Sequence, residues 1–197
     1  MLQDLDKTIE AILKAELPEE ISQQTSVSFA TPDSEFPPAS VSLPTINLFL
    51  YDVVESTEYR TGGYPWTQTA PGKFVKPEEP MRAECHYTVT AWAREGAPAP
   101  EQDEHLLLGA AMRALSKYRI IPDFALYGAM REVEYPIHAR PLATGRLGSP
   151  GEFWQALGGK PRPFFNYMTI LSFTVREPQV STAAVTGAKV NITRTEP

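Results

Sequence analysis

Three stretches of this chain are patterned as strands too long and too apolar to stand without cover, and they limit the fold more than any other feature. Thr45–Val54 is apolar on nearly both faces, and Phe164–Val175 is apolar at almost every position. Arg82–Trp92 alternates: Ala83, Cys85, Tyr87, Val89 and Ala91 fall on one face, Arg82, Glu84, His86, Thr88 and Thr90 on the other. At about 10–12 residues each, these strands are roughly twice the usual length. A strand apolar on both faces must be buried on both, so helices are required on one side of the sheet and further cover on the other.

Two segments supply the helices. Leu2, Leu5, Ile9, Ile12 and Leu13 recur at helical spacing opposite Asp4, Asp6, Lys7, Glu10 and Lys14, and Pro18 ends the run. A second helix is predicted from about Glu101 to Arg119. Its acids Glu101, Asp103 and Glu104 sit in the first turn and Lys117 and Arg119 in the last, which suits the helix dipole. Ser149-Pro150-Gly151-Glu152 opens a third, short helix that Gly158-Gly159 closes. Val27–Ala30 reads as a short strand, and Tyr127–Pro141 as one or two more. The fold class expected is α+β, a mixed, largely antiparallel sheet of long strands packed by two main helices. The domain spans 1–176, and a Ser/Thr/Ala/Val-rich arm spans 177–197.

Of the 197 residues, 42% are hydrophobic, enough for one large core. The 19 prolines exceed the average of about ten and mark extended loops and edges. A net charge of −6 without any Lys/Arg-rich run argues against nucleic acid and against an anionic membrane surface. No apolar run approaches the roughly 20 residues of a membrane span. The acidic start Met1-Leu2-Gln3-Asp4-Leu5-Asp6 lacks the basic region of a signal peptide, so synthesis and residence in the cytoplasm are expected unless a larger assembly carries the chain out.

Catalytic constellations are sparse. Glu101, Asp103, Glu104 and His105 cluster at the start of the second helix, and a small metal-dependent hydrolase built on Glu101, Glu104 and His105 is the enzymatic alternative. A catalytic zinc wants three protein ligands, and neither His86 nor His138 has the spacing to complete the set. Cys85 and His86 are adjacent on a strand, so their side chains point to opposite faces and cannot pair as nucleophile and base. No cofactor is expected.

Docking residues are easier to find. Arg60–Pro80 is rich in proline and carries Tyr64, Trp66 and Phe74 together with Arg60, Lys73 and Lys76. Such aromatics serve either as anchors on a partner or as part of the domain's own core, and both destinations are open. Lys160-Pro161-Arg162-Pro163 reads as a rigid entry to the last strand with charges free for an acidic partner. In the arm, Ala188–Thr193 alternates well enough for Val190 and Ile192 to face one way in a strand added to a neighbour.

Four segments together resemble the cap, or tail-terminator, proteins of contractile injection systems of the antifeeding-prophage and virulence-cassette type. They are Ser42–Val53, His86–Trp92, Glu104–Gly109 and Phe153–Pro163; the last, Phe-Trp-Gln-Ala-Leu-Gly-Gly-Lys-Pro-Arg-Pro, is the most specific. The resemblance implies a phage-tail-like particle with an inner tube inside a contractile sheath. It implies a structural cap, not an enzyme, that forms a homohexameric ring on the end away from the baseplate and meets sheath and inner-tube subunits. An adaptor elsewhere in such a particle, at the baseplate or in the tube, is the structural alternative. Some members of the family carry an additional C-terminal domain, whose role is expected to be absent here.

Overall fold

A computed structural model describes residues 1–58, 65–71, 73–76, 79–175 and 179–181. The chain divides into two units: one is Met1–Ser56 with Arg82–Phe173, the other Thr57–Met81 with Thr174–Pro197.

The larger unit is built on a five-stranded sheet, order β1-β2-β5-β7-β6, in which β1 is Ser26–Ser28, β2 Thr45–Glu55, β5 Met81–Trp92, β6 His138–Pro141 and β7 Phe164–Phe173. The predicted long strands are these β2, β5 and β7. β2 runs antiparallel to β5 and β6 antiparallel to β7, while β1 lies parallel to β2, so the sheet is mixed. Cys85, Tyr87 and Val89 point to one face, with Ile46 and Leu48 on β2 and Tyr167 and Leu171 on β7. This face meets α1 (Leu2–Glu16) and α3 (Pro100–Ser116); a single-turn helix, α2 (Glu19–Ser22), follows α1.

On α1 the stripe read from sequence is the buried one: Leu5, Ile9, Ile12 and Leu13 are sealed from solvent. Burial of four such side chains contributes about 1.5–3 kcal/mol each. The helix is aimed by polar contacts. Tyr87 on β5 donates its hydroxyl proton to Asp6 at 2.9 Å, and Asp4 accepts the Ala129 N–H at 3.3 Å. Gly128 beside it has φ +52°, and a Cβ there would lie 2.7 Å from the Asp4 carboxyl, so the approach requires glycine. Leu17 turns extended ahead of Pro18 and ends the helix.

α3 packs through Ala110, Ala111 and Ala114, small enough to let it approach closely, flanked by Leu107 and Leu115. It stops at Ser116, three residues short of the predicted Arg119. The reason is tertiary: Arg119 accepts the Ala139 N–H at 2.8 Å and Ile121 donates to Ile137 at 2.9 Å, so Arg119–Ile121 is drawn out along the outer edge of β6.

The second face of the sheet is also covered. α4 (Pro150–Ala156), capped by Ser149, which accepts the Glu152 N–H at 3.3 Å, lays Phe153 across Phe49 and Tyr51 at ring separations of 6.4 and 6.3 Å. Trp154 is buried against Phe153 and Phe164. Gly158, at φ +67°, turns the chain out of the helix. Thr88, Thr90 and His86, the polar face of an alternating strand, are therefore buried too.

The smaller unit holds elements that were not predicted: within Arg60–Pro80, β3 (Thr67–Ala70) and β4 (Lys73–Lys76) form an antiparallel hairpin. β8 (Gln179–Ser181), the start of the C-terminal arm, pairs antiparallel to β4, so this chain supplies all three strands of a second sheet of order β3-β4-β8.

Candidate docking surfaces

The predicted docking residues fall in three places. Arg60, Tyr64, Val190 and Ile192 lie outside the described residues. Trp66, Lys73, Phe74 and Lys76 belong to the smaller unit, Lys73, Phe74 and Lys76 on β4 and Trp66 just before β3. Lys160 and Arg162 belong to the larger unit.

In the small sheet every residue of β3 is exposed, and Trp66 leads into it 48% exposed. Phe74 and Val75 on β4 are half-buried, and Val180 on β8 is 67% exposed. Three strands of three or four residues with this much open apolar surface bury little of their own, and the hairpin carries Lys73 at its turn.

Arg162 departs from the sequence reading. Its guanidinium lies 3.7 Å over the Trp92 ring and donates to Glu104, whose Oε1 is also 3.4 Å from the Ala93 N–H. Phe36 stacks on Trp92 at 4.2 Å. Arg162 and Glu104 thus tie the entry of β7 to the end of β5 and the first turn of α3. The charge is engaged within its own chain, because a planar guanidinium both stacks and forks where an indole and a carboxylate converge. Lys160 is exposed. The only route to this from sequence was the spacing that put Trp92 and Glu104 at the ends of adjacent elements.

The same geometry removes Glu104 from the acidic cluster offered as a metal site. Glu101 and His105 are exposed on α3, and among the described residues no group of three His, Cys, Asp or Glu is arranged to hold a metal ion. Cys85 is buried facing the helices, and burial pushes its thiol up to about 11. Its register partner is Val53, whereas His86 pairs with Asp52, so the two side chains are on opposite faces as expected. Neither carries nucleophilic chemistry.

Two further surfaces were not anticipated. A groove of about 410 Å³ opens between Ile21, Pro44, Pro98 and Leu106, rimmed by Glu20 and Asp103. The second is the outer side of β2. β1 pairs only with Thr45–Asn47, and beyond it Tyr51 is a bulge whose hydroxyl accepts the Arg146 N–H at 3.1 Å, while Arg146 Nε donates to Asp52 at 3.0 Å. No helix among the described residues is long and apolar enough to cross a membrane.

With this geometry in place, the likeness to known proteins is specific. A family model described as the Pvc16 N-terminal domain matches residues 4–187. The chain belongs to that family. Among solved structures, it resembles the sheath/tube terminator of an extracellular contractile injection system, PVC, in the extended state. The TM-score is 0.66 at 22% identity, covering 100% of this chain and 64% of that one. It also resembles the anti-feeding prophage cap, a tube-terminating cap, with a TM-score of 0.66 at 19% identity over 98% of this chain and 62% of that one. At these identities the match establishes a shared fold, and the chain spans less than two thirds of either terminator. No curated protein matches it significantly.

Proposed function

We propose that this protein is a structural terminator of a contractile injection system: a ring that closes the baseplate-distal end of the inner tube and sheath and stops their growth. The observation that carries the reading is membership of the Pvc16 N-terminal family over residues 4–187, joined to the fold shared with two terminators. The ring is six-fold, to match hexameric layers, and its partners are other copies of itself and the sheath and inner-tube subunits. The role is mechanical and non-catalytic, and the protein needs neither metal nor cofactor. Trp66, Phe74, Lys73, Lys76 and the exposed Lys160 supply contacts to those subunits, joined by Arg60 and Tyr64 of the same loop. The particle is assembled in the cytoplasm, where the chain is made. Electron microscopy of particles from cells lacking the gene is the test. Tubes and sheaths of uncontrolled length, restored to uniform length by the intact gene, are expected; uniform particles in its absence overturn the reading. Native mass spectrometry of the purified chain, alone and on tubes, reads the ring order.

A further inference from the structure

The sheet of the larger unit is open along one edge and partly covered at the other. At β6 the outer edge is occupied by Arg119–Ile121 through two backbone hydrogen bonds of 2.8 and 2.9 Å. At β2, β1 covers only Thr45–Asn47. From Leu48 to Val54 the sole strand partner is β5, and no backbone hydrogen bond among the described residues reaches the outer side. Every other open strand edge among the described residues is shorter.

Val53 shows the consequence. It is in register with Cys85, which is fully buried on the helix-facing side, yet Val53 is 46% exposed. Its β-branched side chain lies on the face that α1 and α3 cover elsewhere, at a place where no further strand continues the sheet. A row of unpaired N–H and C=O groups flanked by a half-open apolar residue is a template for one more strand.

We infer that this edge, Leu48–Val54, receives the Ala188–Thr193 segment of the C-terminal arm from a second copy of the chain. The faces correspond. A strand added here must be apolar toward Leu50 and Val53, and polar toward Asp52 and Arg146 on the other side. Ala188, Val190 and Ile192 alternate with Lys189, Asn191 and Thr193 in the required two-faced pattern. The six residues between Ser181 and Ala188 let the chain reach up to about 25 Å from one to the other when extended. Because Arg119–Ile121 already lies against the opposite edge, a direct edge-to-edge contact between copies is obstructed there; a donated segment is what lets a heterologous contact propagate around a ring. The inference deepens the terminator reading and rests on its ring.

Cysteine cross-linking on the full-length chain tests it, since the buried Cys85, with its raised pKa, is a silent background. Val53→Cys in one preparation is mixed with Ala188→Cys, Val190→Cys or Ile192→Cys in another. At least one mixture should form a disulfide dimer containing both proteins, and the corresponding double variant should give a covalent ladder ending at the ring order. Val53→Lys should shift the assembled mass to that of the single chain without lowering its melting temperature. Cross-links confined within single chains would overturn the inference, as would Val53→Cys homodimers alone, which report a two-fold β2–β2 pairing. Rings that form normally with no cross-link at any position would also overturn it while leaving the terminator reading intact. If wild-type chains form no ring, free or on tubes, and the mixtures still cross-link, the ring is wrong and the edge contact stands.

Discussion

At the scale of single residues, what matters is which charges are engaged inside the chain. Arg162 sits between Trp92 and Glu104 in a partly buried contact, so its removal loses both a stacking and a charge-assisted hydrogen bond. Arg162→Ala should cost about 2 kcal/mol and lower the melting temperature by roughly 4–8 °C. Arg162→Lys should recover only part of this, because an ammonium cannot stack and fork together. A thermal melt within a degree of wild type would show the contact to be dispensable. Asp6 presents the opposite problem: burial raises its carboxyl above the usual carboxylate range, partly offset by the Tyr87 hydrogen bond. A carboxyl raised in the folded state binds its proton more tightly there than in the unfolded chain. Its contribution is therefore fully present below the unfolded value, about 3.9, and is lost as pH rises through the folded value. Asp6→Asn should consequently gain stability relative to wild type as pH rises from the ordinary carboxylate range, then level off. Urea midpoints of the two proteins across pH measure it, and a wild-type midpoint that rises relative to that of Asp6→Asn with increasing pH would contradict it.

Among the elements, the β3–β4 hairpin is the one proposed above to meet a partner. β3 is exposed at every position, and Trp66 stands half open beside it. Trp66→Ala/Phe74→Ala should leave the melting of the larger unit unchanged while weakening attachment to the tube or sheath. Loss of about 2 kcal/mol per anchor is the scale for interface aromatics, read as reduced retention on assembled particles in a pull-down. A variant that melts well below wild type would place those rings in the protein's own core. A variant that binds and caps normally would remove the hairpin from the docking surface.

At the scale of the molecule, the division into two units separates stability from attachment. Among the described residues, all the fully buried large side chains lie in Met1–Ser56 and Arg82–Phe173. Truncation after Glu177 removes β8 and the arm but no part of that core. The truncated chain should keep the main unfolding transition, lose amide protection on the side of β4 that faces β8, and fail to form rings. Hydrogen exchange and native mass measure the two outcomes. Global unfolding on truncation would show the tail to be part of the core.

The sequence alone determined the elements whose patterning is local. The period of Leu5, Ile9 and Ile12, the alternation from Ala83 to Ala91, and the Ser149-Pro150 cap with Gly158 behind it each specify one element through neighbouring residues, and each formed where expected. The α+β class followed, because long apolar strands need helices over them. What the sequence could not disclose depended on partners far along the chain. α3 ends early because Arg119–Ile121 is held by Ile137 and Ala139. Arg162, read as a free cation, is engaged because Trp92 and Glu104 converge on it from two other elements. The hairpin in Arg60–Pro80 stayed hidden because Gln179–Ser181 supplies its third strand from the other end of the chain. The open edge of β2 was legible only as a general hazard of long strands. Which edge is covered in part and which is open was decided by tertiary pairing, since backbone groups carry no side-chain signature of the partner they lack.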